Sequence, residues 1–175
     1  MSPANPLTDQ LCLKCRLCCD GSLFSAVELQ RGDDVAGLKE LGLALKKQGG
    51  GLRFSQPCSA LCGDGRCGIY KDRPTYCRQF ECLVLKETKR GKRSAKEALS
   101  LIRLARRRTA RVNRLLRQLG EESETLSVSE RFRKVSRLAH SGGMDADHAA
   151  IFSDLTVAYQ QLIVLLSASF YPDAE

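Results

Sequence analysis

The sequence predicts a small α-rich α+β protein in which an irregular cysteine lobe, with short strands and turns, packs on about three helices. All nine cysteines and four of the five prolines precede residue 83. The residues after this point contain long stretches of apolar side chains at helical spacing. We therefore expect a disordered N-terminus over residues 1–10, a cysteine lobe over 11–85 and a helical region over 86–170.

Three helices are predicted in the second half, over about residues 94–119, 128–140 and 146–169. Ser-x-x-Glu capping boxes begin the first two, at Ser94 and Ser127. An aspartate, Asp145 or Asp147, begins the third. Apolar residues cover more than one face of the third helix, so we expect it to be the most buried element and to pack against both others.

The first half contains signals for shorter elements. Strands are expected within 22–29 and 52–56, where apolar and polar residues alternate in the second case. A short helix is expected over 33–41, since aspartates precede it and Gly42 follows it. Pro74 begins a helical turn that reaches Phe80.

Composition indicates a folded, soluble chain in a reducing compartment. Of 175 residues, 43% are hydrophobic and 27% are charged. The start of the chain has no apolar signal segment, and the uncharged stretch 155–172 contains Gln, Ser and Thr, so neither secretion nor a membrane span is expected. We expect a cytoplasmic location, where thiols stay reduced. An odd number of cysteines also argues against a closed set of disulfides.

The strongest chemical signal is the run Cys12-x-x-Cys15-x-x-Cys18-Cys19. A spacing of two residues lets neighbouring thiolates converge on one metal centre, and we expect a tight turn to bring their sulfurs to the same side. Three cysteines at this spacing are similar to the cluster-binding run of bacterial ferredoxins. The adjacent Cys18 and Cys19 are expected to diverge, and to serve two centres or to be one ligand and one spare thiol.

Five further cysteines follow at positions 58, 62, 67, 77 and 82. Metal or iron–sulfur binding explains this set better than thiol redox chemistry or structural and disulfide roles, which remain alternatives. Residues 11–82 contain few large apolar groups, and a structural metal contributes about 10–16 kcal/mol in small cysteine sites. We therefore expect chelation to melt the first half before the helical half.

These residues resemble the CxxCxxCC cysteine-cluster family of the YkgJ type, described as zinc- or iron-chelating. The resemblance begins with Cys12-Leu-Lys-Cys15-Arg-Leu-Cys18-Cys19 and Gln56-Pro57-Cys58, and continues from Gly65-Arg-Cys67 through Arg73-Pro74-Thr-Tyr-Cys77 to Cys82. It covers about residues 11–85. The resemblance implies eight metal ligands: Cys12, Cys15, Cys18, Cys19, Cys58, Cys67, Cys77 and Cys82. Cys62 departs from the family pattern and is expected not to be a ligand.

The sequence favours a 4Fe–4S iron–sulfur cluster over zinc, because the triple spacing and the crowded Cys18-Cys19 pair suit a polynuclear centre. A closed four-thiolate zinc site is the alternative. Either centre carries net negative charge, and four arginines close to ligands in sequence are candidates to balance it or are ordinary surface charges. These are Arg16, Arg66, Arg73 and Arg78.

A basic segment spans residues 86–117, with thirteen Lys and Arg against two Glu. As a helix, this segment would offer cations to a phosphate backbone. It lacks interleaved aromatic residues, so base stacking is not expected. This charge has four open explanations: it binds nucleic acid, it binds an acidic protein partner, it balances the negative cysteine lobe, or it is an ordinary solvated surface.

Three functional classes follow. The favoured one is a metal-binding module that handles metal ions or electrons, or senses them. The second is a redox or protein-modifying enzyme, since one branch of the resembled family contains flagellin lysine methylases. The third is a nucleic-acid-binding protein with a structural zinc site. His148 near Asp145 and Asp147 fits a helix cap more simply than a metal site, and no Ser/His/Asp set supports hydrolysis.

Overall fold

The structure, a computed structural model, describes residues 6–171, with side chains from Gln10 onwards. Residues 1–5 and 172–175 lie outside the described residues, and with them half of the stretch 1–10 that was expected to be disordered. The other half of that stretch is helical, because helix α1 begins at Pro6. Proline suits the first turn of a helix, where its missing N–H leaves no bond unmade.

Seven α-helices and a three-stranded sheet lie in this part of the chain. The helices are α1 (Pro6–Cys15), α2 (Val35–Glu40), α3 (Thr75–Gln79), α4 (Leu83–Lys89), α5 (Ala95–Gln118), α6 (Val128–His140) and α7 (Ala146–Ser169). The strands are β1 (Ala26–Glu28), β2 (Leu45–Gln48) and β3 (Gly51–Ser55), and a 3₁₀ turn spans Tyr70–Asp72. The α-rich α+β class is confirmed.

The sheet is antiparallel in the order β1-β3-β2. Phe54 of the central strand is paired with Val27 on one side and with Leu45 on the other. Strand β2 was not predicted, because three of its four residues are polar and its exposed pattern is that of an edge strand. Gly49 and Gly50 take positive φ values of 61° and 83° in the hairpin turn between β2 and β3.

Local capping sets the bounds of the three long helices, which agree with the prediction. Ser94 and Ser127 each accept a hydrogen bond from the backbone N–H of the glutamate three residues on, and each glutamate accepts one from the cap in return. Asp145 accepts the hydrogen bond of the His148 N–H at the start of α7. Helix α4 was not predicted.

Helix α5 is the central element of the helical part. Its buried residues are Ala98, Ile102, Ala105, Thr109, Val112, Leu115 and Leu116, and it contacts α1, α4, α6 and α7. Helix α7 packs against α5 and α6, but it buries one stripe only, and Val157 and Val164 on its other side are 52% and 57% exposed. The expectation that α7 is the most buried element is therefore wrong, because a single face of it meets the core.

Within the described residues, α7 is also the one helix that is long and apolar enough to cross a membrane, by length and composition alone. The same two properties describe core helices. In this structure Leu155, Leu162 and Leu166 are fully buried in the helical core.

Two hydrophobic clusters divide the protein. The helical core contains the buried side chains of α4–α7 together with Leu11, Leu17 and Leu23. The lobe core contains Val27, Leu38, Leu43, Phe54 and Ile69. The segment that carries the first cysteine run therefore packs with the helices, and the clusters do not divide at residue 85.

A buried polar network joins α5 to α6. Glu121, which is 4% exposed, pairs with Lys134 at 2.6 Å. Arg131 donates hydrogen bonds to the side chain of Asn113 (2.9 Å) and to the carbonyl of Glu121 (2.6 Å). Burial favours the neutral carboxyl, but the hydrogen bonds from Lys134 and Ser123 and the charges of Lys134 and Arg131 outweigh it and lower the pKa of Glu121.

Candidate metal centre

Helix α1 positions the first two cysteines of the run. Cys12 and Cys15 lie three residues apart in its last turns, so both project on one helix face. The tight turn expected between them is wrong, because the chain stays helical to Cys15. Arg16 then ends the helix with a positive φ of 61°, a conformation that few residues other than glycine adopt.

Cys18 and Cys19 follow in a turn held by hydrogen bonds to the carbonyl of Arg16. Their Sγ atoms lie 3.7 Å apart, so the expectation that these thiols diverge is wrong. Hydrogen bonding between the two thiols raises the pKa of Cys18 and lowers that of Cys19.

Four cysteines, here called the first group, line a cavity of about 60 Å³. They are Cys12, Cys15, Cys18 and Cys82. The other walls are mostly apolar and include Leu17, Phe80 and Ile102. Burial raises the pKa of Cys15 to about 12, and the charges of Cys82 and Cys12 add to this effect. Burial also raises the pKa of Cys82, and the hydrogen bond with Cys19 raises that of Cys18, so these three thiols stay protonated until a cation is among them.

In the remaining four of the predicted ligands, here called the second group, the charge of Cys19 raises the thiol pKa of the other three. The second group is Cys19, Cys58, Cys67 and Cys77. Burial raises the pKa of Cys77 to about 12, and the charges of Cys19, Cys58 and Cys67 raise it further. The Cys58 N–H donates to the carbonyl of Cys19 at 2.9 Å, which joins the two segments directly. This group lies against the lobe core, which Cys58, Cys67 and Cys77 contact.

Backbone N–H groups are directed at the sulfur atoms of both groups. At four cysteines, the backbone N–H of the residue two positions later forms a hydrogen bond with the sulfur and lowers the thiol pKa. Burial raises the pKa of the same thiols by more. The pairs are Cys15 with Leu17, Cys58 with Ala60, Cys67 with Ile69 and Cys82 with Val84. Such donors stabilise thiolates, and hydrogen bonds to sulfur tune metal–thiolate centres.

Arg73 is an arginine whose charge acts on three thiols of the second group. Its charge lowers the pKa of Cys67 and Cys77 against a larger effect of burial, and at Cys19 it adds to the larger lowering by the hydrogen bond from Cys18. Its guanidinium stacks 3.7 Å above the ring of Tyr70, and its Nε donates to the Tyr70 carbonyl. This fixed position suits a cation that balances thiolate charge.

The other three predicted arginines differ from one another. Arg16 lines the cavity of the first group and lies against Gly65, where a Cβ would meet its guanidinium at 2.2 Å. Arg66 forms an exposed ion pair with Asp64 at 2.7 Å. Arg78 donates to the hydroxyl of Thr75. Of the four, Arg16 lines the cavity of the first group and the charge of Arg73 acts on thiols of the second.

Cys62 is exposed and belongs to the loop before Cys67. Its Sγ lies against Gly68, at 3.4 Å from where a Cβ on that glycine would be. Its charge raises the pKa of Cys67 only as a minor effect after burial. Cys62 therefore lies at the edge of the second group, and its exclusion from the ligand set stays a prediction.

Asp20 is a residue near both groups that the sequence analysis missed. Burial raises the pKa of Asp20 despite hydrogen bonds from Ser22. Its charge in turn contributes to the raised pKa of Cys15. Its position directly after Cys19 was the signal available in the sequence.

The donor set fits a thiolate-bound metal. Within the described residues, none of the nine cysteines is in a disulfide, and eight of them form the two groups. In the described part of the chain, no three Cys, His, Asp or Glu side chains already stand at the spacing of a closed metal site. Within the described residues, the fold therefore gathers the cysteines into two groups without bringing three of them to metal-binding spacing.

The expectation that the basic segment 86–117 forms one helix is wrong. Gly91, with φ of 71°, and the Ser94 cap separate α4 from α5. Arg93 pairs with Glu87 at 2.5 Å, and Arg108 donates to the carbonyl of Gln161. Within residues 10–171, six exposed arginines of α5 have no carboxylate partner, and two of them, Arg103 and Arg106, donate instead to the Ser100 hydroxyl and the Lys14 carbonyl. The other four donate no side-chain hydrogen bond within this part of the chain. They are Arg107, Arg111, Arg114 and Arg117.

The histidines have structural partners. His148 Nδ1 contacts Asp145 Oδ1 at 2.8 Å, within the cap of α7. His140 Nδ1 contacts the carbonyl of Ser136 at 2.6 Å, in the last turn of α6. Asp145 is therefore a helix cap, as the sequence indicated.

A helical body and a sheet lobe, with eight thiols packed where their cores meet, are typical of a cysteine-rich metal-binding protein. The chain belongs to the CxxCxxCC family, whose description is "Putative zinc- or iron-chelating domain" and whose model matches residues 11–98. The match runs past residue 85, through α4 and into the first turn of α5. Searches among curated proteins and among solved structures found no match to this chain.

Proposed function

We propose that this protein is a metal-binding module that holds iron–sulfur through the eight cysteines of the two groups and handles metal ions or electrons, or senses them. The observation that carries this proposal is that these eight thiols, which are spread over residues 12–82, gather where the two hydrophobic cores meet. A reducing compartment, the cytoplasm, is part of the proposal because it keeps such thiols free.

Two features favour iron–sulfur over zinc. The cavity of about 60 Å³ beside the first group is roughly four times the space that a single water needs, so it suits a polynuclear centre better than a lone ion. Its walls are largely apolar, and the potential of a buried cluster depends on such a shell together with the hydrogen bonds to its sulfurs. A closed zinc site remains the alternative.

An iron–sulfur cluster supplies one-electron transfer when bound. The residues of this chain do the rest. Cys15 and Cys82 offer sulfur to the first centre while Leu17 and Val84 direct their N–H groups at those sulfurs. Phe80 and the neighbouring apolar side chains keep water from the cavity. Because the thiols are protonated without a cation, binding releases protons and strengthens as pH rises.

Anaerobic purification tests the proposal. We expect brown protein with charge-transfer absorption in the visible range, and iron together with acid-labile sulfide on analysis. Colourless protein with stoichiometric zinc would replace iron–sulfur by zinc within the same ligand set. Natively prepared protein that is folded and free of transition metals would refute the proposal.

Nucleic-acid binding is a second candidate function, favoured by the unpaired arginines of α5. Arg107, Arg111 and Arg114 lie on successive turns of its exposed side, about 5–6 Å apart. Replacing these three by Gln should reduce the salt slope of duplex RNA or DNA binding by about 3 if each contacts a phosphate. The matched control replaces three exposed lysines of the lobe, Lys39, Lys46 and Lys47, by Gln. Equal binding by both triple variants would remove this candidate.

A further inference from the structure

The division of the cysteines follows the division of the hydrophobic cores. Cys15, Cys18 and Cys82 pack against the helical core. Cys58, Cys67 and Cys77 pack against the lobe core. Because these cores are separate clusters of buried residues, the two sets of thiols are held by different parts of the fold.

Cys18 and Cys19 lie where the two sets meet. Cys18 lines the cavity together with Cys12, Cys15 and Cys82. Cys19 is absent from the lining of that cavity, and it is instead bound through its carbonyl to the Cys58 N–H. Each of these adjacent residues thus has its own set of three cysteine neighbours.

We propose that the protein holds two separate four-thiolate centres, a helical centre on Cys12, Cys15, Cys18 and Cys82 and a lobe centre on Cys19, Cys58, Cys67 and Cys77. This inference rests on the proposed function, since it divides the same eight ligands. It assigns each ligand to one centre and gives the crowded Cys18-Cys19 pair a role: one residue serves each centre.

The contact between Cys18 and Cys19 makes the two centres neighbours. With metal–sulfur bonds of about 2.3 Å on either side of the 3.7 Å sulfur contact, the two metals bound to this pair lie within about 8 Å of each other. Two negatively charged centres at this range interact strongly. We therefore expect loading of one centre to affect the other, and two paramagnetic clusters to show magnetic coupling.

The two centres also differ in their surroundings. The helical centre adjoins a partly open apolar cavity, with Phe80 and Leu17 in its walls, and one of its ligands, Cys12, is exposed. The lobe centre has Arg73 as a neighbour and lies beside the exposed loop of Cys62.

Substitution of the adjacent pair tests the division. Full-length C18S and C19S are prepared like the wild type, and metal per chain and the visible and electron paramagnetic resonance spectra are measured. Two 4Fe–4S clusters give about eight iron atoms per chain, and two closed zinc sites give about two zinc ions. Each variant should lose half of the wild-type metal, and the double variant should lose all of it. The two single variants should retain spectra that differ from each other.

A shared ion is the rival arrangement, because two sulfurs of one tetrahedral zinc site at 2.3 Å are also about 3.8 Å apart. If C18S and C19S each lose all of the metal, or if both lose the same centre and retain identical spectra, the two-centre inference is wrong while metal binding stands. If the wild type itself carries no metal, the proposed function fails first.

Loss of folding is separated from loss of a ligand by a second pair of variants and a control. C82S and C77S remove one ligand from the helical and the lobe centre, and should reproduce the effects of C18S and C19S respectively. C62S should retain all of the metal. Helical circular dichroism is recorded for every variant, and a pair that stays helical decides the outcome.

Discussion

Leu17 links the helical core to the helical centre, and its truncation is the most informative test of this packing. The side chain is 1% exposed and lines the cavity between Cys15 and Cys18. Leu17→Ala removes a fully buried isobutyl group next to a cavity that already exists, so the surroundings cannot collapse fully onto the space. We expect unfolding free energy to fall by about 3 kcal/mol.

The assay is thermal and denaturant unfolding of metal-loaded protein at fixed metal and protein concentration. For a chain of this size, about 3 kcal/mol corresponds to a Tm lower by roughly 6–12 °C. The matched control is Leu13→Ala, the same chemical change at a position of α1 that is 45% exposed. This control should shift stability by no more than about 0.5 kcal/mol.

Equal effects of the two substitutions would refute the assigned packing of Leu17. So would a loss below about 1 kcal/mol, since a buried leucine truncation costs about 2–5 kcal/mol. If the packing is right, the variant should also release metal from the helical centre faster, because the truncated side chain lines the cavity beside Cys15 and Cys18.

Three further predictions concern pH, charge and metal removal. Glu121→Gln leaves the buried Arg131 without its carboxylate and should lower the unfolding free energy by about 3 kcal/mol at pH 7. Because the fold lowers the pKa of Glu121, the wild type loses this advantage as pH falls below about 4. The denaturation midpoints of the two proteins should therefore converge at low pH, and a constant gap would contradict the network. Arg73→Gln should weaken metal retention by the lobe centre, measured by competition with a chelator, and Arg66→Gln, an exposed pair with Asp64, is its control; equal retention by both variants would exclude the role of Arg73. Metal removal should raise amide exchange in residues 25–78 more than in α5 and α7, because the lobe core is the smaller of the two clusters, and uniform protection would argue against it.

The position of α5 shows where sequence patterns stop being informative. Its apolar stripe and capping box predicted the helix and its bounds, since these depend on neighbours within a few residues. Its burial depends instead on α1, α4, α6 and α7 packing around it. Helix α7 has more apolar residues but meets the core on one side, which no local pattern reveals.

The cysteines divide in the same way. Spacing and residue type predicted thiolate metal chemistry, because the two-residue spacing and the soft sulfur donors are properties of the chain itself. The helical geometry of Cys12 and Cys15 and the contact between Cys18 and Cys19 differed from expectation, because both depend on the turn at Arg16. Asp20 likewise gained its importance only from burial.

Caps, periodicity and ligand type act over short stretches of chain, so the three long helices, the α-rich class and the chemical type of the donors follow from local sequence. Which cysteines become neighbours depends instead on the packing of distant segments. Cys82 joins Cys12, Cys15 and Cys18 because α4 packs in the helical core with α1, whereas Cys58, Cys67 and Cys77 remain with the sheet. Contacts between distant segments are set by which apolar surfaces bury each other, and that depends on the whole path of the chain.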